Sequence, residues 1–152
     1  MMRFSVRRFR EGDLGSILEI ERLSFDSPYG EEVFRRVMTN PTIFLVGVAD
    51  NGLVVAYILA LAVRPEIHVL SVAVHPEWRR KGLGKTLLQE VIQEACRLGA
   101  TRIVLEVDVE NTGAQLLYTS LGFRSGGTLK HYYPNGHDAI FMVKELAPKT
   151  HL

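Results

Sequence analysis

Apolar and polar positions recur along this chain at two different spacings, and the order of these spacings predicts a mixed sheet. Strand-like runs cover residues 4–9, 43–49, 53–63, 67–74, 103–107, 123–129 and 138–146. Helical spacing follows the capping residue Asp13, recurs over 30–39 and 84–98, and begins again at Asn111. The order β-α-α-β-β-β-α-β-α-β-β favours an α+β or mixed α/β fold, antiparallel at first and parallel across the long central helix.

Length and composition are those of one globular domain. The chain has 152 residues, of which 47% are hydrophobic and 23% charged, so a core can form without disulfides or structural metals. We therefore expect residues 1–152 to form a single domain. The lone Cys96 permits neither an internal disulfide nor a multi-thiolate zinc site. Its place on the apolar stripe of the central helix predicts buried packing rather than an acyl-cysteine intermediate.

Charge and hydropathy exclude several classes of partner. Lys and Arg number 18 against 17 Asp and Glu, and the net charge of +1 provides no general attraction to nucleic acid or anionic membranes. The N-terminus carries no apolar stretch of the signal-peptide kind, and the longest apolar run, about ten residues, is too short to span a bilayer. We expect a cytoplasmic protein with no metal, nucleic-acid or membrane partner.

The clearest chemical signal is the strand–loop–helix segment 72–86. Gly82 and Gly84 allow a ligand to approach the backbone at a helix N-terminus, where unpaired N–H groups and the helix dipole favour an anion. Neutralising charge is supplied by Arg79, Arg80, Lys81 and Lys85. The segment predicts a phosphate site, with a solvated basic loop as the alternative. A Walker A loop fails because Arg79 stands where glycine is required, and a dinucleotide fingerprint fails at Leu87.

The spacing of Arg79, Gly82 and Gly84 meets the pattern Arg/Gln-x-x-Gly-x-Gly/Ala and resembles the acetyl-CoA loop of the GNAT family of N-acetyltransferases. Residues 105–123 resemble later family motifs in order and spacing, and 132–146 is similar to the tail of RimI- and Ard1-type protein N-terminal acetyltransferases. The likeness covers essentially the whole chain. It implies a three-layer fold with a central, mostly antiparallel mixed sheet, a splayed parallel strand pair, and helices on both faces.

The resemblance also implies acetyl-CoA as the cofactor and assigns its contacts. The acetyl-pantetheine end would bind the backbone of Val72, Ala73 and Val74. The pyrophosphate would lie against Arg79, Arg80, Lys81, Gly82, Leu83, Gly84 and Lys85.

Glu106 stands in the middle of an apolar strand, where burial is expected to raise its pKa toward the range of a working base. The resemblance makes Glu106 the general base, acting through water on the substrate ammonium. His68 is the second candidate for that role, with a satisfied strand histidine as the alternative.

Asn111, Ala114 and Tyr118 share one face of a predicted helix. The resemblance makes Tyr118 the general acid for the CoA thiolate and gives Asn111 a hydrogen bond to cofactor or peptide. A core aromatic residue is the alternative for Tyr118.

Four aromatic residues are implied to form the walls of a peptide groove: Phe25, Tyr29, Tyr132 and Tyr133. Asp108 and His137 depart from the family pattern, which often has arginine at the first position and an acidic residue at the second. The function expected is acetyl transfer by direct attack in a ternary complex, to a protein α-amino group such as that of a ribosomal protein. The alternatives are a lysine or small-amine acetyltransferase and a non-catalytic acyl-CoA-binding regulator.

Overall fold

The computed structural model describes residues 3–147, so residues 1–2 and 148–152 of the predicted domain lie outside the described part. The strands are β1 (Phe4–Arg8), β2 (Thr42–Ala49), β3 (Val54–Val63), β4 (Glu66–Val74), β5 (Arg102–Asp108), β6 (Arg124–Leu129) and β7 (Ala139–Glu145). The helices are α1 (Leu14–Ser24), α2 (Glu31–Val37), α3 (Leu83–Arg97) and α4 (Thr112–Ser120). This order of strands and helices confirms the prediction, although α2 is shorter than 30–39.

The seven strands form one sheet in the order β1-β2-β3-β4-β5-β7-β6. Every neighbouring pair is antiparallel except β4 and β5, which run parallel. That pair is joined only from Glu66 and Arg102 to His68 and Val104, and beyond this point the two strands separate. On its other edge, β4 has a bulge at Leu70, since Ser71 and Val69 pair with consecutive residues of β3. The predicted splayed parallel pair is therefore present.

Helices cover both faces of the sheet because successive side chains of a strand point to opposite sides. On one face, α3 buries Leu87, Leu88 and Val91 against Ile58 and other strand residues. On the opposite face, the apolar sides of α1 and α2 pack against alternate residues of β2 and β3, namely Phe44, Val46, Tyr57 and Leu59. The three-layer arrangement predicted from the resemblance is confirmed. Within residues 3–147, none of the helices combines the length and apolar character that a transmembrane helix requires.

Cys96 is exposed, so the prediction of buried packing is wrong. The buried face of α3 includes Val91 and Ala95. Cys96 follows Ala95 directly, and one residue turns a helix by about 100°, which carries its side chain away from the sheet.

Asp13 precedes α1 as predicted, but its carboxylate does not cap that helix. It accepts two hydrogen bonds from the Arg7 guanidinium, at 2.8 and 2.9 Å, and one from the Arg10 N–H at 2.7 Å. The hydrogen bonding from Arg7 is the largest cause holding the pKa of Asp13 below its usual value. Asp13 therefore ties β1 to the start of α1.

Candidate active site

A cleft of about 700 Å³ opens where β4 and β5 separate, and we call it the splay cleft. Its walls come from the two strands, the α1–α2 loop, the start of α4 and the β6–β7 loop. Eight of the predicted site residues line it: Phe25, Tyr29, Val72, Glu106, Asn111, Tyr118, Tyr132 and Tyr133. Residues far apart in the chain are thus brought together around one space.

His68 and Glu106 form a hydrogen-bonded pair across the splayed strands. His68 Nε2 lies 2.8 Å and 2.9 Å from the two carboxylate oxygens of Glu106. The pair stands where the β4–β5 ladder ends, since His68 is opposite Val104 and Glu106 is two residues further along β5. Tyr132 donates a hydrogen bond of 3.0 Å from its hydroxyl to Glu106 Oε1. The sequence offered His68 and Glu106 as two candidates for the general base. In the structure these two residues are in direct contact.

The pKa of Glu106 lies below its usual value, so the expected rise is wrong. Burial does raise it, as predicted, but hydrogen bonding from His68, the charge of His68 and the Tyr132 hydroxyl together outweigh burial. The pKa of His68 is correspondingly raised, first by its hydrogen bond to Glu106 and against the opposing effect of burial. Because each group shifts the other, the two titrate as a coupled pair.

Tyr118 is buried, with 7% of its surface exposed, and still lines the splay cleft. Burial raises the pKa of its phenol to about 12. Its ring centroid lies 5.9 Å from that of Phe123, so the side chain is both a core residue and part of the cleft wall. The helix predicted to begin at Asn111 is present, and Asn111 caps it by accepting a hydrogen bond of 3.1 Å from the Ala114 N–H.

The basic loop leads from β4 to the N-terminus of α3. Gly82 is the residue before α3 and has a positive φ of 81°, a conformation that favours glycine. A Cβ on Gly84 would meet only ordinary contacts at 3.8 Å, with Leu117 and Val74. The backbone of the first turn of α3 has N–H groups without helical partners, as the predicted anion site requires.

Two residues of the predicted pyrophosphate site make contacts within the protein. Leu83 is only 1% exposed and its side chain packs in the core, so only its backbone can meet an anion. The Arg79 guanidinium donates to the Val74 carbonyl at 3.0 Å and to Ser24 Oγ at 3.3 Å, which places Arg79 beside the cleft. Ala73 and Val74 lie at the end of β4 that leads into this loop.

Tyrosines and a phenylalanine form the outer walls of the cleft. Phe25 and Tyr29 are 39% and 46% exposed on the α1–α2 loop, and Tyr132 is 47% exposed on the β6–β7 loop. The rings of Tyr132 and Tyr133 meet edge to face, with centroids 4.9 Å apart. Burial, followed by the charge of and hydrogen bond to Glu106, raises the pKa of Tyr132 to about 12.

Sequence reasoning missed Glu21, a carboxylate only 1% exposed that reaches the cleft from α1. A single acidic residue between Ile20 and Leu23, inside the apolar stripe of a helix, was the signal available.

The unusual pair Asp108 and His137 is a second feature whose geometry the sequence did not reveal. His137 Nδ1 lies 2.8 Å from Asp108 Oδ2, and its Nε2 lies 2.8 Å from Glu110 Oε2. Hydrogen bonding to Asp108 is the largest cause of a raised His137 pKa. In residues 3–147 these three are the one group with ligand atoms close enough for a metal ion. Both ring nitrogens of His137 already face carboxylates, so charge pairing accounts for the cluster.

Comparison with known proteins decides the family. The model of the acetyltransferase (GNAT) family matches residues 14–123. The chain belongs to this family. It is an acetyl-CoA-dependent N-acetyltransferase, and both the recognised family and the predicted cofactor are confirmed.

Relatives with assigned names agree with this placement. The chain is 34% identical to the N-alpha-acetyltransferase of Saccharolobus solfataricus, covering 94% of this chain and 93% of that one. It is 32% identical to the [ribosomal protein bS18]-alanine N-acetyltransferase of Escherichia coli K12, covering 86% and 90%.

Solved structures agree as well. The E. coli ribosomal-protein-S18-alanine N-acetyltransferase superposes with a TM-score of 0.90 at 28% identity, over 97% of each chain. Ard1 from Thermoplasma volcanium also gives 0.90, at 25% identity, over 95% of this chain and 98% of that one.

Proposed function

We propose that the enzyme transfers the acetyl group of acetyl-CoA to the N-terminal α-amino group of proteins, by direct attack in a ternary complex. The observation that carries this proposal is the splay cleft itself. It places Glu106 with its partner His68 behind it, a buried phenol and an open strand edge around one space whose outer walls are aromatic. Amine acylation needs a base for the attacking amine, and it needs hydrogen-bond donors for the thioester carbonyl and for the leaving thiolate.

The reaction proceeds through one new bond and one broken bond. The amine nitrogen attacks the thioester carbonyl carbon, while backbone N–H groups at the open edge of β4 around Val72 polarise the carbonyl oxygen. The N–C bond forms, the C–S bond breaks, and the electron pair leaves on the CoA sulfur. The proton lost by the nitrogen passes, directly or through water, to the pair of His68 and Glu106.

Tyr118 serves the leaving group. With a pKa of about 12 its phenol is fully protonated at neutral pH. A thiol has an ordinary pKa of about 8.5, so complete proton transfer from the phenol to the thiolate is uphill. We therefore assign Tyr118 as a hydrogen-bond donor that stabilises the developing thiolate, a narrower role than that of a full proton donor.

The weak base at the site favours a protein N-terminus as acceptor, and the negative charge of the cleft favours a cation. An α-ammonium group has a pKa of about 7.7 to 8.0, whereas that of lysine is about 10.4, so a weak base suffices for the former. The lowered pKa makes Glu106 a weak base on its own. Five carboxylates line the cleft, those of Glu21, Asp26, Glu106, Asp108 and Glu110, and among the described lining residues none is Lys or Arg. This lining favours a cationic acceptor.

The names of relatives support the same class of substrate. The E. coli relative is named for the alanine of ribosomal protein bS18, and the S. solfataricus relative for α-acetylation. By this analogy we propose ribosomal or other newly made proteins as partners and the cytoplasm as the location. A lysine or small-amine acceptor is the second candidate, favoured by the open outer end of the cleft.

The experiment that tests the proposal is a thiol-release assay with acetyl-CoA and short peptides that differ at their first two residues. Each peptide is paired with a copy whose α-amino group is formylated. We expect CoA release with some free peptides and none with their formylated copies. Equal release with formylated, lysine-containing peptides would support the lysine alternative and contradict the proposal.

A further inference from the structure

Glu21 is a buried carboxylate that the mechanism above does not use. Its Oε2 accepts a hydrogen bond of 3.0 Å from the backbone N–H of Tyr29. Its Oε1 accepts from Ser71 Oγ at 2.9 Å and from the hydroxyl of Tyr57. All three partners donate, so a carboxylate satisfies them without conflict. Removing the carboxylate would leave these donors without their acceptor, which is costly for groups held away from water.

Two of the three donors come from the two sides of the splay cleft. Ser71 lies on β4, one residue before Val72, where we place the acetyl-pantetheine arm. Tyr29 lies on the α1–α2 loop and forms part of the peptide wall. The carboxylate therefore joins the strand that faces the cofactor to the loop that faces the acceptor.

The β4 strand depends less on the hydrogen bonds of Glu21 than the α1–α2 loop does. The β4 strand is also held by its ladder with β3, in which Ser71 pairs with Leu59 and Val72 with Ile58. Residues 25–30 belong to neither helix nor strand. The other loop contacts include an exposed hydrogen bond of 3.2 Å from Asn135 to Asp26. Removing the carboxylate should therefore displace the loop and leave the strand in place.

We propose that Glu21 is a positioning residue for the acceptor peptide, which holds the α1–α2 loop so that Phe25 and Tyr29 form one wall of the groove. The proposal rests on the proposed function, since it takes that groove to be the acceptor site. Glu21 acts through the loop and not on the reacting atoms.

Glu21→Met tests the proposal because it keeps an unbranched side chain of similar length and removes both acceptor oxygens. Glutamine would be a weaker test, since its NH₂ group can donate to the oxygens of Ser71 and Tyr57 while its carbonyl still accepts from the Tyr29 N–H. With methionine, the Tyr29 N–H loses its acceptor. We expect KM for a peptide substrate to rise about tenfold or more, the order of effect for one buried unpaired group. Acetyl-CoA affinity by calorimetry should stay within about twofold, because the ladder still holds β4.

Asp13→Asn is the matched control. Asp13 is also a buried carboxylate of the α1 region that accepts a backbone N–H, but it lies at the opposite end of the helix and does not line the cleft. Both substitutions should lower the melting temperature, and only Glu21→Met should raise peptide KM. An unchanged KM in Glu21→Met, or an equal rise in Asp13→Asn, would overturn the proposal.

A measurement on the wild-type enzyme covers the case in which Glu21→Met does not fold. Hydrogen exchange without substrate should show the Tyr29 amide to be protected, since its N–H is bonded to a buried carboxylate. Exchange at the rate of an exposed loop amide would overturn the proposal. If the wild type acetylates no peptide while Tyr29 is protected, the proposed function fails and the fixed loop stands as a separate result.

Discussion

At the scale of single residues, the central finding is that His68 and Glu106 act on each other. Each lies within 2.9 Å of the other, and each moves the pKa of its partner in the direction that favours the ion pair. The two candidate bases therefore have to be treated as one coupled pair and not as alternatives. We propose that the pair as a whole accepts the proton that the amine loses.

Glu106→Gln tests the pair through its pH dependence. His68 has a raised pKa in the wild type, so the pair gains its capacity to accept a proton as pH rises through a value above 6.5. Without the carboxylate, the hydrogen bond and charge that raise this pKa are lost, and the acid limb of kcat should move to lower pH. We expect kcat near neutral pH to fall by roughly 10²-fold, with partial recovery at alkaline pH, where the amine is already neutral.

His68→Ala is the companion variant. It removes the partner that lowers the pKa of Glu106, so burial should then dominate and that pKa should rise. We expect a smaller loss of kcat than in Glu106→Gln. A wild-type profile in Glu106→Gln beside an inactive His68→Ala would assign the base to histidine alone and contradict the shared role of Glu106.

Tyr118→Phe removes one hydroxyl and keeps the ring that packs on Phe123. Because the thiolate can leave without a hydrogen bond, we expect kcat to fall by roughly 10²-fold and not to vanish. Acetyl-CoA affinity should change little. The measurement is steady-state turnover together with calorimetry, and a kcat equal to that of the wild type would remove Tyr118 from the mechanism.

At the scale of elements, the N-terminus of α3 is the predicted anion site, and Gly84 is the better position for testing it. Gly82 has a positive φ, so replacing it with a β-branched residue would strain the backbone as well as any ligand site. We expect Gly84→Val to weaken acetyl-CoA binding about tenfold or more, because its methyl groups cover the first-turn N–H groups.

Gly15→Val is the control for Gly84→Val. Gly15 is the second residue of α1 as Gly84 is of α3, and its Cβ would meet nothing within 4 Å. Both variants bear the same cost of a β-branched residue in a helix, and calorimetry should show a weaker complex only for Gly84→Val. Unchanged affinity in a folded Gly84→Val protein would refute the pyrophosphate site.

The same scale explains what sequence periodicity could and could not establish. The sequence pattern predicts the strands and helices in order, because most of them bury at least one face and so place apolar residues at recognisable positions. The exception is β6, which is exposed along its whole length. Periodicity gives wrong predictions where a side chain bonds to a residue of another element, or where it lies at the border between the buried and exposed faces of a helix. Asp13 bonds to Arg7 on β1 instead of capping α1, and Cys96 lies just beyond the buried edge of α3.

At the scale of the whole molecule, the site depends on how the strands pair. The sequence indicates Glu106, His68 and Tyr118 one by one, through burial, resemblance and helix spacing. It does not show that His68 meets Glu106, because that contact depends on the β4–β5 register and on the point where the two strands separate. The contacts of Glu21 also depend on how the chain folds, since its donors Tyr29 and Ser71 come from a loop and a strand that are far apart in the sequence.

The most direct test of the account is to locate the acetyl group on a peptide that carries both a free N-terminus and an internal lysine. After incubation with the enzyme and acetyl-CoA, fragment-ion mass spectrometry distinguishes the two amines. We predict acetylation of the α-amino group alone. His68 and Glu106 together form a weak base, which can deprotonate an ammonium group with a pKa near 8 far more readily than one with a pKa near 10.4. Acetylation of the lysine with a free α-amino group would contradict the account.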